Sequence, residues 1–370
     1  MTSPEATLPT LVIGAGAWGT AVAVYLAGRS RGGMVALWGR DAAQMRQMAQ
    51  HRENKKYLPG INLPEQLDVL ADQARAYAQW REKTQAHRAQ NPQAAALHGL
   101  VILATPMSGL SSAAAGLQAH LGEPLPGEGL VWLAKGLALQ AVAGPQTAPL
   151  LQWPHEIVHA GCPSWSSAAL SGPSFAQEVA QGLPAALTVA SREIDFARQV
   201  AQACHGEGLR LYPTDDLIGV ELGGAMKNVL AIAAGVCDGL KLGANARAAL
   251  LTRGLAEMSR LGMAIGARAH TFMGLATLGD LILTATGDLS RNRRVGLALA
   301  RGEKLSEVIR GLGHVAEGVN TAPALLALAK RVGVDVPITE SVCRLMIDEW
   351  SPRQAIAALM TREVRDEYDH

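Results

Sequence analysis

Residues 11–20 constrain this chain more than any other stretch. Leu11, Val12 and Ile13 form a short apolar run that stops at Gly14. Gly14, Gly16 and Gly19 then stand in the spacing G-x-G-x-x-G, with Ala15, Ala17 and Trp18 between them. A helical pattern continues through Ala21, Val22, Val24, Tyr25, Leu26 and Ala27. Strand, tight turn and helix in that order are the setting that a dinucleotide fingerprint requires. Gly14 allows a turn dihedral that a side chain would penalise, Gly16 lets backbone approach a pyrophosphate, and Gly19 lets the helix lie close to the strand. The free N–H groups of the first helical turn then face the phosphates. The stretch predicts a nucleotide cofactor on an α/β domain.

Further buried strands follow. Met34–Trp38 reads as the second, running into Gly39, Arg40 and Asp41. An acid at this place binds a ribose 2'-hydroxyl, whereas an arginine pairs with a 2'-phosphate. Arg40 is assigned to the adenosine end, which mildly favours NADPH, and Asp41 keeps NAD open. Leu100–Pro106, ending in Thr105 and Pro106, and Gly129–Ala134 are two more strands, the second followed at once by Lys135. A lysine there points to a ligand crevice, against the alternative that it only reaches water. Residues 157–160 and 168–170 are shorter strand candidates. Gly172 and Pro173 make a turn before a helix carrying Glu178, and 183–190 and 209–212 close the domain.

Two stretches carry no assigned chemistry. Residues 54–62 read as a loop. Residues 71–98, rich in Ala, Gln, Arg and His, read as an exposed helix and an insertion, with His87 and His98 facing solvent.

With a net charge of +1, no basic tail and no long charge block, the 370-residue chain gives no sign of nucleic-acid binding. The Arg291, Arg293 and Arg294 cluster is too local to alter that. Four scattered cysteines form no C-x-x-C and fit a reducing compartment. Metal-ligand spacing is missing as well, so no metal is expected. Residues 1–10 lack the basic start of a signal peptide, and no uninterrupted apolar run is of bilayer length. The expectation is a cytoplasmic protein without a membrane span.

From Asp215 the texture changes to long helical periods. One helix runs through Ile218, Leu222, Met226, Val229, Ile232 and Val236, and it contains Lys227 and Asn228. A lysine within such an apolar helix is costly unless it has partners. Gly279, Asp280 and Leu281 put an acid between tight turns, and Ser290 is a plausible cap for a helix beginning at Arg291. Donors gathered at that helix start would cradle a phosphate, against the alternative of a solvated basic turn. The reading gives a Rossmann-like dinucleotide-binding domain over 1–213 and an all-helical substrate domain over 214–370. The apolar helices of the second domain make a homodimer reasonable.

Four blocks together resemble the bacterial-type NAD(P)-dependent glycerol-3-phosphate dehydrogenases: residues 14–20, 134–137, 171–176 and 222–228. Residues 279–281, 290–292 and 317–318 add to the likeness, which covers nearly the whole chain. It implies that Lys227 is the catalytic proton donor or acceptor. Lys135 would touch cofactor and substrate. Asp280, Ser290, Arg291 and Asn292 would contact substrate, with Gly172 and Ser174 near it. Gly14, Gly16, Ala17, Trp18, Gly19, Arg40, Ala176, Arg291, Val315 and Glu317 would contact the cofactor. Ala17 stands where the family often has serine, so a hydroxyl contact is lost there while backbone contacts survive. The substrate would be a small three-carbon phosphate, reduced to supply glycerol 3-phosphate for phospholipid synthesis. Two rival readings remain at this level: a reductase of a hydroxy acid or phosphorylated sugar acid, and a nucleotide sensor without turnover. The sign of any Lys227 pKa shift is open, because burial and Lys135 oppose Asp280.

Overall fold

The computed structural model describes residues 8–30, 34–92, 97–140, 149–312, 316–347 and 350–361. In chain order the first half runs β1 (Thr10–Ile13), α1 (Ala17–Gly28), β2 (Val35–Trp38), α2 (Ala42–His51), β3 (Glu53–Asn54), β4 (Leu58–Asn62), β5 (Leu67–Leu70), α3 (Gln73–Gln90), β6 (Gly99–Leu103), α4 (Met107–Leu121) and β7 (Glu128–Trp132). A small hairpin of β8 (Ala138–Gln140) and β9 (Leu150–Gln152) follows. Then come α5 (Pro154–Gly161), β10 (Ser166–Ser171), α6 (Ala176–Ala180), β11 (Ala185–Ala190), α7 (Ile194–Cys204) and β12 (Leu209–Thr214).

Eight of these strands form one sheet in the order β12-β11-β10-β7-β6-β1-β2-β5. All neighbours are parallel except β10 and β11. Strands such as β1, β6 and β7 are buried at every residue. That is why they read as continuous apolar runs rather than alternating ones: a parallel sheet is covered on both faces. The fold of this half is the expected Rossmann-like one, with β1 central and α1 following it.

The second half is largely helical: α8 (Leu217–Gly239), α9 (Ala244–Ala264), α10 (Asp280–Thr286), α11 (Arg291–Ala300), α12 (Leu305–Leu312), α13 (Glu317–Val332), α14 (Pro337–Met346) and α15 (Pro352–Met360). A 3-10 turn at Ala269–Met273 and a π turn at Leu275–Gly279 precede α10. Helix α8 lies in the core, with Leu222, Met226, Val229, Leu230 and Ile232 all buried. Buried Glu257 of α9 caps α14 by accepting from Ile338 N, Thr339 N and the Thr339 hydroxyl.

By internal contacts the chain divides into residues 1–134 with 154–217, and 135–153 with 218–370. Strands β8 and β9, read from sequence as part of the first domain, pack on α13 and group with the helical unit. That unit is therefore not all-helical, since it holds the β8–β9 hairpin.

Several local expectations are corrected. Residues 54–62 are not a loop, because β3 and β4 pair there as an antiparallel hairpin with Gly60 at φ 77°. Helix α3 is not merely exposed. Ala76, Tyr77, Trp80 and Thr84 recur at helical spacing and are buried, and the Trp80 indole donates to Pro9 O at 3.1 Å. A Cβ on Gly99 would stand 2.4 Å from Thr84 Oγ1, so the helix sits directly on the start of β6. His98 is buried, not solvent-facing, with its ring centroid 5.7 Å from that of His87. Residues 157–160 lie in α5, a helix whose short apolar run imitates a strand. Helix α8 is long and apolar enough to cross a membrane by length and composition, which the uninterrupted-run criterion missed. Its residues are almost wholly buried, as suits a core helix.

Candidate active site

In the sheet-containing unit the fingerprint has the geometry its glycines promised. Gly14 has φ 118°, and a Cβ there would stand 2.6 Å from Ala104 O. A Cβ at Gly19 would stand 2.0 Å from Gly14 O. Gly16, the N-cap of α1, would meet nothing within 4 Å, so open space faces the helix start. A pyrophosphate fits these residues, because close backbone approach is free at Gly16 and the N–H groups of Ala17 and Trp18 begin the helix. Asn54, not anticipated from sequence, is buried beneath this turn and donates to Ala15 O at 3.0 Å and Thr20 Oγ1 at 2.7 Å.

At the end of β2, Arg40 is exposed, whereas Asp41 caps α2 by accepting from Gln44 N at 3.0 Å. The carboxylate that kept the ribose question open is engaged in that cap. Gly172 has φ 140° and accepts from the Ser174 hydroxyl at 3.0 Å, while Ala176 opens α6.

The helical unit brings Lys135, Lys227 and Asp280 together. Gly223 and Lys227 lie one helical turn apart on α8. A Cβ at Gly223 would stand 2.0 Å from Thr277 Cγ2, so the π turn packs on the α8 backbone. That contact seats Asp280, the first residue of α10, beside Lys227. Lys227 Nζ is 2.5 Å from Asp280 Oδ1, and Lys135 Nζ is 2.7 Å from Oδ2. Thr284, one turn along α10, accepts from Lys227 Nζ at 3.1 Å and donates to Asp280 Oδ1 at 3.2 Å. Sequence reasoning missed Thr284, although its i+4 spacing from Asp280 was the available signal.

The charges are matched to this burial. Lys227 is 7 % exposed and Asp280 2 %. Burial pushes the Lys227 ammonium down to about 8; Asp280 opposes the shift and Lys135 adds to it. Burial works to raise Asp280, yet Lys135 and Lys227 together hold it below the ordinary carboxylate value. The sign left open by the sequence is thus downward for the lysine.

The start of α11 is more committed internally than expected. Ser290 caps the helix by accepting from Arg293 N at 3.2 Å. Asn292 is buried, donating to Asn228 Oδ1 at 2.8 Å and accepting from Gly318 N at 3.0 Å. Arg293 is tied to Asp238 at 2.8 Å. Arg291 remains exposed, and the Glu317 carboxylate at the start of α13 attracts it. Val315 lies outside the described residues. Among the described residues no group of three His, Cys, Asp or Glu side chains could hold a metal ion.

The two halves of the chain match two halves of one family. The model described as NAD-dependent glycerol-3-phosphate dehydrogenase N-terminus matches residues 10–82 and 83–197, two pieces that meet inside α3. Its C-terminal counterpart matches 216–357. An NAD(P)+ glycerol-3-phosphate dehydrogenase of Janthinobacterium sp. (strain Marseille) is 50 % identical over 96 % of this chain and 98 % of its own length. The one from Herminiimonas arsenicoxydans is 49 % identical over the same shares. The crystal structure of glycerol-3-phosphate dehydrogenase from Coxiella burnetii superposes with a TM-score of 0.81 at 34 % identity, covering 96 % of this chain and 99 % of that one. The chain belongs to the NAD-dependent glycerol-3-phosphate dehydrogenase family.

Proposed function

We propose that the protein interconverts sn-glycerol 3-phosphate and dihydroxyacetone phosphate with NAD(P), and that it runs in the reducing direction to supply glycerol 3-phosphate for phospholipid synthesis. The observation that carries this reading is the buried Lys227 held on Asp280 in a chain of this family. The nicotinamide, when bound, supplies or accepts the hydride. Lys227, as the ammonium, donates a proton to the carbonyl oxygen in reduction and as the amine takes the hydroxyl proton in oxidation. A lysine lowered to about 8 suits both tasks near neutral pH. Asp280 fixes the Nζ position and Lys135 occupies its other oxygen.

Gly14, Gly16, Ala17, Trp18, Gly19 and Ala176 are assigned to the cofactor, with Arg40 at the adenosine end. Because Asp41 is engaged as a helix cap, NADPH is favoured. Lys135, Arg291 and Glu317 complete the cofactor assignment. Arg291 and the N-terminus of α11 are assigned to the substrate phosphate, with the Ser290 hydroxyl beside them. Gly172 and Ser174 keep their assignment near the substrate. A cytoplasmic location accords with four free, buried cysteines. A homodimer is the proposed assembly, supported by exposed Met273, Ile282 and Leu289 and tested by light scattering.

The test is absorbance loss at the nicotinamide band with dihydroxyacetone phosphate, with NADH and NADPH tried separately. Turnover with either establishes the reaction. A folded protein that binds cofactor but oxidises neither overturns the substrate assignment and returns the choice to other ketones or to a sensor.

A further inference from the structure

One carboxamide in the sheet-containing unit brackets the fingerprint turn. Asn54 ends β3, pairs with Leu58 across the hairpin and is fully buried. Its Nδ2 donates to Ala15 O at 3.0 Å and to Thr20 Oγ1 at 2.7 Å. Ala15 precedes Gly16, and Thr20 closes the first turn of α1, its N–H donating back to Gly16 O at 3.0 Å. Between these two anchors stand Gly16, Ala17, Trp18 and Gly19, the stretch that a pyrophosphate would approach.

The Asn54 side chain has one orientation available. Ala15 O can only accept, and Tyr57 N, 3.3 Å from Asn54 Oδ1, can only donate. The NH2 group therefore faces the fingerprint and the oxygen faces the hairpin. Gln44 Nε2, from α2, also donates to Oδ1 at 3.3 Å. The base is firm, because Leu58 and Ile61 of β4 belong to the same apolar core as α1. The peptide from Ala15 to Gly16 is trans, so holding Ala15 O toward Asn54 turns Gly16 N–H the other way. Open space lies beside Gly16, where a Cβ would meet nothing within 4 Å.

We infer that Asn54 is a positioning residue for the cofactor: by holding Ala15 O and Thr20 Oγ1 together, it fixes the backbone N–H groups between them for the pyrophosphate before the cofactor arrives. This rests on the proposed assignment of the fingerprint to NAD(P). Donors already in place lose less freedom on binding, so the gain is one of affinity. Arg40, assigned to the adenosine end, stands outside the bracket.

The experiment titrates the wild type, Asn54→Ala and Gln44→Ala with NADPH, NADH, ADP-ribose and adenosine 2'-phosphate, and records a thermal melt of each protein. ADP-ribose carries the pyrophosphate, and adenosine 2'-phosphate lacks it. In Asn54→Ala, Kd for NADPH, NADH and ADP-ribose should rise roughly tenfold, the order of one hydrogen bond to a charged group. Kd for adenosine 2'-phosphate should stay as in the wild type, and KM for the cofactor should rise more than kcat falls. Gln44→Ala removes one donor to Asn54 Oδ1 and should show the same pattern at roughly threefold. Equal loss for ADP-ribose and adenosine 2'-phosphate overturns the inference and makes Asn54 a support of the whole unit. Unchanged ADP-ribose binding in Asn54→Ala overturns it as well. Should Asn54→Ala not fold, Gln44→Ala decides, and unchanged ADP-ribose binding there overturns the inference. A wild type that binds none of the four would instead remove the cofactor assignment beneath it.

Discussion

Lys227 Nζ stands 2.5 Å from Asp280 Oδ1, an ion pair between residues fifty-three positions apart. Both partners are buried, and Asp280 stays charged because Lys135 and Lys227 both answer it. Lys227→Met should lower turnover by roughly 10²–10⁴-fold, the contribution of a positioned general acid. Cofactor binding, followed by nicotinamide fluorescence, should survive.

The pH profile should follow from the same pair. With Lys227 as the proposed proton donor, reduction uses its ammonium, so the rate should fall as pH rises through about 8, and oxidation should rise over that range. Asp280 is the group that opposes the lowering of Lys227. Asp280→Asn should therefore move the limb to lower pH, besides reducing kcat. A limb that rises in this variant would contradict the charge assignment.

Two glycines of the fingerprint should separate folding from binding. A Cβ at Gly19 meets Gly14 O at 2.0 Å, whereas one at Gly16 meets nothing within 4 Å. Gly19→Ala should cost about 1–3 kcal/mol of stability through overpacking. Gly16→Ala should leave Tm unchanged and weaken cofactor affinity roughly tenfold or more, because the methyl occupies the pyrophosphate's approach. Thermal melts and cofactor titrations read the two effects.

Arg40 and Asp41 are neighbours with separate predicted effects. Arg40→Ala should raise KM for NADPH by roughly 10- to 100-fold, as loss of hydrogen bonds to a charged group does, and leave NADH unchanged. Asp41→Ala should instead cost about 1 kcal/mol by removing the α2 cap. Equal loss with both cofactors in Arg40→Ala would remove the 2'-phosphate assignment.

Trp80 is 2 % exposed and tied to Pro9 O, so α3 belongs to the sheet's cover. Trp80→Ala should destabilise the protein by about 3–5 kcal/mol, measured by denaturant unfolding. A surface insertion would tolerate the change.

What could be read in the sequence was what local covalent geometry enforces. The fingerprint was legible because each glycine answers a backbone requirement within a few residues of itself. Lys227 was legible as an oddity, a charge within an apolar helix, and Asp280 as an acid between turns. Their pairing was not, since it depends on Gly223 meeting the π turn, a contact between distant segments. The buried face of α3 was hidden because Ala76, Tyr77, Trp80 and Thr84 stand among polar residues and exposed alanines, and composition alone made that helix look polar. Asn54 was illegible for a similar reason: a polar residue in a Pro- and Gly-containing stretch reads as loop until Ala15 O and Thr20 are seen above it.

Helix α8 combines bilayer length with a lysine at its eleventh of twenty-three residues. During synthesis this segment emerges before α9, α10, α11 and α13, which help to bury it, and by length and composition it matches a membrane anchor. A lysine at the middle of such a helix opposes insertion by about 2.5–3.5 kcal/mol. The residue assigned to move the proton therefore also marks the nascent helix for water. An apolar replacement at 227 would weaken that mark as well as the chemistry.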